Sequence, residues 1–189
     1  MKRLAFFLTS ILLAVFVSVA HAAPQAYVLA QGSKVEFFYS SGPEPTRGTF
    51  PITGADIVVD LENVRRSRVD VDVSTARVRV ADPFGMVALK GEDMLHTGRY
   101  PTARFQSRRI TRTRDGAQIE GDLTLKGIRV PVVLQAVFMR KSSAPVDNSE
   151  LILRVSGEVS RKAFGITGFP NLVKDMIRLD FVVNIARPI

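Results

Sequence analysis

An all-β fold, an extended antiparallel barrel of about eight strands with a short helical segment across one end, follows from three features of this chain. Apolar residues alternate with polar ones in many short runs along its 189 residues. Turn-forming residues separate those runs. One stretch alone, between Asp82 and Gly98, repeats its apolar residues at helical spacing.

The first residues stand apart from that pattern. Lys2 and Arg3 precede an apolar run from Leu4 to Val19, and Ala20-His21-Ala22 places small residues at the positions a signal peptidase reads. Residues 1–22 are therefore expected to be a cleaved export signal, with residues 23–189 forming one domain. The expected location is the periplasm or the outside of the cell.

The strand runs follow in order. Val35, Phe37 and Tyr39 alternate with Lys34 and Glu36. Val69, Val71 and Val73 alternate with Asp70 and Asp72, and Val78 and Val80 with Arg77 and Arg79. Ile119, Gly121, Leu123 and Leu125 share a face, as do Val130, Val132, Leu134, Ala136 and Phe138. Leu151, Leu153 and Val155 form a further run, and Ile177, Leu179, Phe181 and Val183 close the chain. Turns are expected at Ser41-Gly42-Pro43, Thr53-Gly54-Ala55-Asp56, Arg114-Asp115-Gly116, Lys126-Gly127 and Ala144 to Ser149. Asp115-Gly116 between two strand runs is the strongest hairpin signal among them. In the helical stretch Asp82 is the expected N-cap, Pro83 the first helical residue and Gly98 the stop, with Gly91 dividing it into two short pieces. A sheet of this length must hide its edges, and closure into a barrel does so completely.

Composition narrows the chemistry. Cysteine is absent, which removes disulfides, thiol nucleophiles and thiolate metal sites. The two histidines are His21, inside the expected signal, and His96, which without partners defines neither a triad nor a metal site. Asp70 and Asp72 lie opposite the valines of their strand and so face solvent. No acid/base pair, nucleotide loop or metal motif is visible, so no catalysis and no cofactor are expected. The formal net charge of +8 is carried partly by Arg65, Arg66, Arg68, Arg108, Arg109, Arg112 and Arg114. Without interleaved aromatics these do not describe a nucleic-acid groove. They fit a solvated face, or peripheral contact with anionic membrane surfaces. What remains is an apolar excess, nine phenylalanines after residue 22 and a helical stretch whose Met86, Leu89, Met94 and Leu95 can cap a barrel mouth.

Several phrases follow one another along the chain in a telling order. They are Ser33 to Phe37, Arg47-Gly48-Thr49-Phe50, Leu89 to Leu95, Tyr100 to Ser107 (Tyr-Pro-Thr-Ala-Arg-Phe-Gln-Ser), Gly121 to Ile128 followed by Val130-Pro131-Val132, and Arg161 to Ile166. In this order they resemble the YceI-like family of bacterial secreted or periplasmic proteins, across essentially all of residues 23–189. The resemblance implies a lipocalin-like barrel that holds a polyisoprenoid, a quinone-like molecule or another long amphiphile. It places Phe37, Phe50, Phe105, Leu123, Leu125 and Phe164 in or near the interior. The chain departs from the family where many members carry a histidine, between Tyr39 and Thr46, and in having Ala163 where an aspartate is frequent. The pocket-lining set expected from residues and resemblance together is Phe37, Phe50, Met86, Leu89, Met94, Phe105, Leu125, Phe138 and Phe164. Two other readings stand beside the carrier. One is a ligand-free envelope interaction or stress-response module using the basic surface. The other is a hydrolase or isomerase on the same scaffold using His96. Association as a homodimer is left open.

Overall fold

The computed structural model describes residues 23–40, 42–139 and 148–188. The expected signal, residues 1–22, lies outside them, as does most of the Ala144–Ser149 turn. The described residues form ten strands: β1 (Gln25–Leu29), β2 (Lys34–Ser40), β3 (Pro45–Val59), β4 (Arg68–Ser74), β5 (Arg79–Val80), β6 (Thr102–Arg112), β7 (Gly116–Leu125), β8 (Ile128–Phe138), β9 (Glu150–Ser160) and β10 (Met176–Ala186). Helix α1 spans Pro83–Lys90, and short 3₁₀ turns cover Val64–Arg66 and Lys162–Phe164.

The strands form a closed antiparallel barrel with eight staves. The order runs β2-β3-β4-β6-β7-β8-β9-β10 and returns to β2. β1 and β2 share one stave, because β1 pairs with the far ends of β3 and β10 while β2 pairs with their near ends. β5 extends β4 along β3, with Arg79 opposite Thr49. The longest seam joins β9 and β10, from Met176 opposite Ser160 to Ala186 opposite Glu150. Closure leaves no free sheet edge along this seam, which answers the edge problem that the strand-rich sequence poses.

Several expected elements are longer or shorter than the periodicity suggests. Thr53–Asp56 is not a turn but the middle of β3, where a bulge between Ile52 and Gly54 shifts the register against β4. The run Arg77–Val80 forms a strand only at Arg79–Val80. The helix stops at Gly91, and the residues after it continue as turns instead of a second helical piece. Its start matches expectation, with the Asp82 carboxylate accepting from the backbone N–H of Phe84 (3.3 Å) and Gly85 (2.6 Å) and Pro83 in the first turn. Lys126 and Gly127, at φ of 51° and 75°, make the tight turn between β7 and β8. Such left-handed pairs match the twist of a hairpin.

The outer wall is polar and its charges are laddered. Arg154 grips Asp180 with two hydrogen bonds of 2.8 and 2.7 Å, and Arg104 lies 3.6 Å from both Asp70 and Asp72. Arg108 bonds Asp122 across the β6–β7 ladder, and the Arg178 guanidinium covers the Phe38 ring at 4.5 Å. Much of the basic charge is thus spent on neighbouring strands, consistent with a solvated face.

One close approach sets the upper half of the barrel, the end that carries α1. Gly48 lies opposite Phe37 in the β2–β3 ladder, and the Phe37 ring covers the space a side chain would take there. Phe37 is 5 % exposed and stacks on Phe50 with centroids 4.6 Å apart. Substituting Gly48→Ala should push this ring off its site and destabilise the protein by about 2 kcal/mol, read as a lower urea midpoint. An unchanged midpoint would show that the ring has room to move.

Candidate functional site

Because each strand turns every second side chain inward, the barrel interior is built almost wholly from Val, Ile, Leu and Phe. These side chains do not fill it. A cavity of about 540 Å³ runs through the interior, within the range of ligand pockets. Among its lining residues only Tyr39, Ser67, Asp82 and Arg161 carry polar side chains. Val69, Val71 and Val73 of β4 face Leu123 and Leu125 of β7 and Ile177, Leu179 and Phe181 of β10 among the walls.

The cavity has two differently built ends. The lower one is narrowed by Tyr27, Ile57, Leu151 and Ile185, packed as one cluster, with the Tyr27 hydroxyl donating to the Asn148 carbonyl at 2.8 Å. The upper one is the mouth, framed by α1, the segment after it, and the long β9–β10 connection. Leu89, Met94 and Leu95 pack there with Val78, Phe164 and Ile166. β8 and β9 pair only from Leu134 opposite Gly157 to Phe138 opposite Leu153. Above that level Phe164, fully buried, packs with Val132 and Val159.

Of the nine residues expected to line a pocket, eight line this cavity: Phe37, Phe50, Leu89, Met94, Phe105, Leu125, Phe138 and Phe164. They do not meet at one point. Phe37, Leu89, Met94 and Phe164 cluster at the mouth, Phe105 touches both the mouth cluster and the middle one, and Phe138 sits at the lower end, 41 % exposed. Met86 is the exception. The face of α1 turned to the cavity carries Phe84, Gly85, Ala88 and Leu89, and the helical twist points Met86 elsewhere. Helical spacing alone could not say which of two apolar stripes faces inward.

Arg161 was not among the expected site residues. It is 3 % exposed, and its guanidinium donates to four backbone carbonyls: Lys174 (3.1 Å), Ile166, Gly168 and Val173 (2.8 Å each). Those carbonyls belong to the connection that forms the far rim of the mouth, so one side chain holds that rim in shape. The signal for it was present in Arg161-Lys162-Ala163-Phe164-Gly165, but as a sequence phrase without a role. Tyr39, also at the mouth, is pushed above the usual tyrosine value by burial. A hydrogen bond with Thr46 partly offsets this and the Asp82 carboxylate adds to it, so the hydroxyl stays protonated. His96, the candidate for catalysis, is not among the cavity-lining residues. It lies 3.9 Å from Glu92 and edge-on to Tyr100, in a left-handed backbone conformation at φ 48°. No cluster of three or more metal-binding side chains occurs among the described residues.

A closed antiparallel barrel with a continuous apolar lumen and a framed mouth defines a protein of the lipocalin-like class. Within that class the chain belongs to the YceI-like domain family, whose model matches residues 27–185. It is similar to protein YceI of Escherichia coli, 29 % identical over 119 residues, 63 % of this chain and 62 % of the relative. The match therefore spans less than two thirds of that relative's length. Burkholderia cenocepacia BcnA has the same fold, with a TM-score of 0.70 at 19 % identity over 80 % of this chain and 94 % of that one. A polyisoprenoid binding domain from Saccharophagus degradans, implicated in plant cell wall breakdown, aligns with a TM-score of 0.59 at 14 % identity, over 87 % of this chain and 99 % of that one.

Two predictions concern the rim. Arg161→Met keeps the stem but leaves four inward carbonyls without their donor, and should cost about 3 kcal/mol or more, seen as a lower melting temperature. Loss of stability within error of zero would mean that water replaces the guanidinium. Asp175 accepts from the Lys162 backbone N–H (3.0 Å) and the Ser160 hydroxyl (2.9 Å), and these bonds, the first above all, hold its carboxyl below the ordinary value of 3.8. A depressed folded-state value contributes stability above the ordinary value, and that contribution disappears as pH falls through the folded one. The wild type should therefore melt above Asp175→Asn at neutral pH, and the two curves should converge below pH 3.8.

Proposed function

We propose that this protein is a non-catalytic carrier of a long apolar amphiphile, of the isoprenoid or quinone class, held lengthwise in the barrel and exported with it to the cell envelope. The observation that carries the reading is the unfilled, almost wholly apolar lumen. Protein interiors normally pack without such voids, and an unfilled apolar cavity costs stability. A chain-like ligand recovers that loss. The likeness to a polyisoprenoid binding domain points to the same ligand class. Export rests on the pattern of residues 1–22 in the sequence.

Magnitudes fit a ligand recognised by its tail. Each buried methylene contributes about 0.8 kcal/mol and one isoprene unit about 3 kcal/mol at most. A few such units supply tight binding even after the chain's lost freedom is subtracted. A polar fingerprint is not required, and the wall offers few polar groups to make one.

Native mass spectrometry of the protein taken from the cells that make it, followed by organic extraction, tests this directly. A discrete added mass that extracts as an isoprenoid or quinone is the expected result. A clean unliganded mass that incubation with such lipids leaves unchanged would overturn the carrier. Narrowing the lumen gives a second test. Val71→Trp should weaken binding of a fluorescent prenol about tenfold or more by filling the channel, while Val133→Trp, on the half-exposed outer wall of β8, should not.

A further inference from the structure

The mouth carries the two most exposed large apolar side chains among the described residues. On α1, Phe84 is 87 % exposed and Val87 73 % exposed, three residues apart and so on one side of the helix. On the opposing rim, Leu172 is 58 % and Phe169 47 % exposed. Single exposed apolar residues are ordinary, but here four project from the helix and the loop that frame one opening. Three of them, Phe84, Phe169 and Leu172, line the lumen as well as reaching solvent. The apolar surface is thus continuous from the inside of the barrel to its outer lip.

The lip is held out firmly. Phe169 has a φ of 53°, uncommon for a bulky side chain, and its carbonyl accepts from the N–H of Leu172 (3.1 Å) and of Val173 (2.9 Å). Thr167 and Gly168 donate to the Asp93 carbonyl at 3.0 and 2.9 Å, which ties this rim to the segment following α1. Phe169 thus stands half-exposed at the lip on a backbone tied to both sides of the mouth.

Charge indicates the partner. Lys90 ends α1, Lys174 follows Leu172 by two residues, and Arg79 lies on β5, the strand next to α1. None of the three makes an ion pair among the described residues. Of the carboxylates at this end, Asp82 caps the helix and Asp175 takes the Lys162 N–H and the Ser160 hydroxyl, while Glu44, Glu92 and Asp93 are exposed. Apolar tips flanked by unpaired cations are the surface that a bilayer containing anionic phospholipid accepts, the tips entering the acyl boundary and the cations meeting the headgroups.

We propose that the mouth of the barrel, through Phe84, Val87, Phe169 and Leu172 flanked by Arg79, Lys90 and Lys174, docks on an anionic lipid bilayer, so that an amphiphile passes between membrane and lumen without crossing water. The docking deepens the carrier reading and rests on it for its purpose, but its geometry can be tested separately.

The test is co-sedimentation of the purified protein with phosphatidylcholine vesicles containing about 30 % phosphatidylglycerol, against pure phosphatidylcholine and rising salt. A combined variant, Val87→Asp with Lys90→Glu and Lys174→Glu, alters only residues that do not line the lumen. It should lose vesicle affinity about tenfold or more while retaining prenol binding in solution. Val182→Asp, on β10 away from the mouth and 53 % exposed, should sediment as the wild type does. Equal sedimentation of the combined variant and the wild type, or no sedimentation of the wild type with anionic vesicles, overturns the proposal. A wild type that ignores vesicles but dimerises through these residues assigns the lip to a second copy and also overturns it. Loss of prenol binding by wild type and variant alike, with mouth-dependent sedimentation intact, would count against the carrier and leave the docking standing.

Discussion

The structure depends on one constraint: a sheet that closes on itself turns half of its side chains into a space whose width the staves decide, not the side chains. With eight staves the ring is wide enough that inward Val, Leu and Phe either meet across the middle or leave a channel. Here β4 offers three valines in succession, and β6, β7 and β8 offer Ala103, Ala117 and Ala136 among their inward positions. Small inward residues on several staves are what hold the channel open. The long β9–β10 seam and the shared β1/β2 stave keep the ring shut regardless of what the lumen contains.

The same constraint explains which strands could be read in the sequence. β4 and β7 alternate cleanly, and β2, β8, β9 and β10 keep a period of two at their inward positions although Phe38, Val133, Ile152 and Val182 stand on the outer side. β3 and β6 do not. In β3 the inward positions are Phe50 and Ile52, then Ile57 and Val59, because the bulge beside Gly54 changes the phase, and Gly48 shows no apolar side chain where the Phe37 ring lies. In β6 the inward Phe105 and Ile110 are five residues apart, across an irregularity between Ser107 and Arg109. β1 is too short to establish a period. Gly54 therefore reads as a turn although it marks a bulge within a strand.

The site was legible to the extent that it is made of strand interior. Phenylalanines at inward positions follow from alternation and from the family resemblance, whereas Met86 required knowing which way a two-turn helix rolls, and that depends on Asp82 and on packing with Val78 and Phe164. Arg161 was illegible for a different reason. Its hydrogen-bond partners are backbone carbonyls, which have no sequence signature, so a buried cation held in this way cannot be recognised from residue types.

Arg161 also shows how the mouth reconciles two demands. A portal that admits a long amphiphile must present apolar residues to the outside, yet a loop with exposed apolar residues tends to collapse onto the nearest apolar surface, here the lumen itself. Four carbonyl contacts to one guanidinium, with Asp175 anchoring the base of the same connection, hold Phe169 and Leu172 at the lip against that tendency. On the other side, the capped first turn of α1 does the same for Phe84. The polar groups at the mouth are therefore occupied in holding its shape, and on the carrier reading proposed above any choice of ligand falls to the apolar wall behind them.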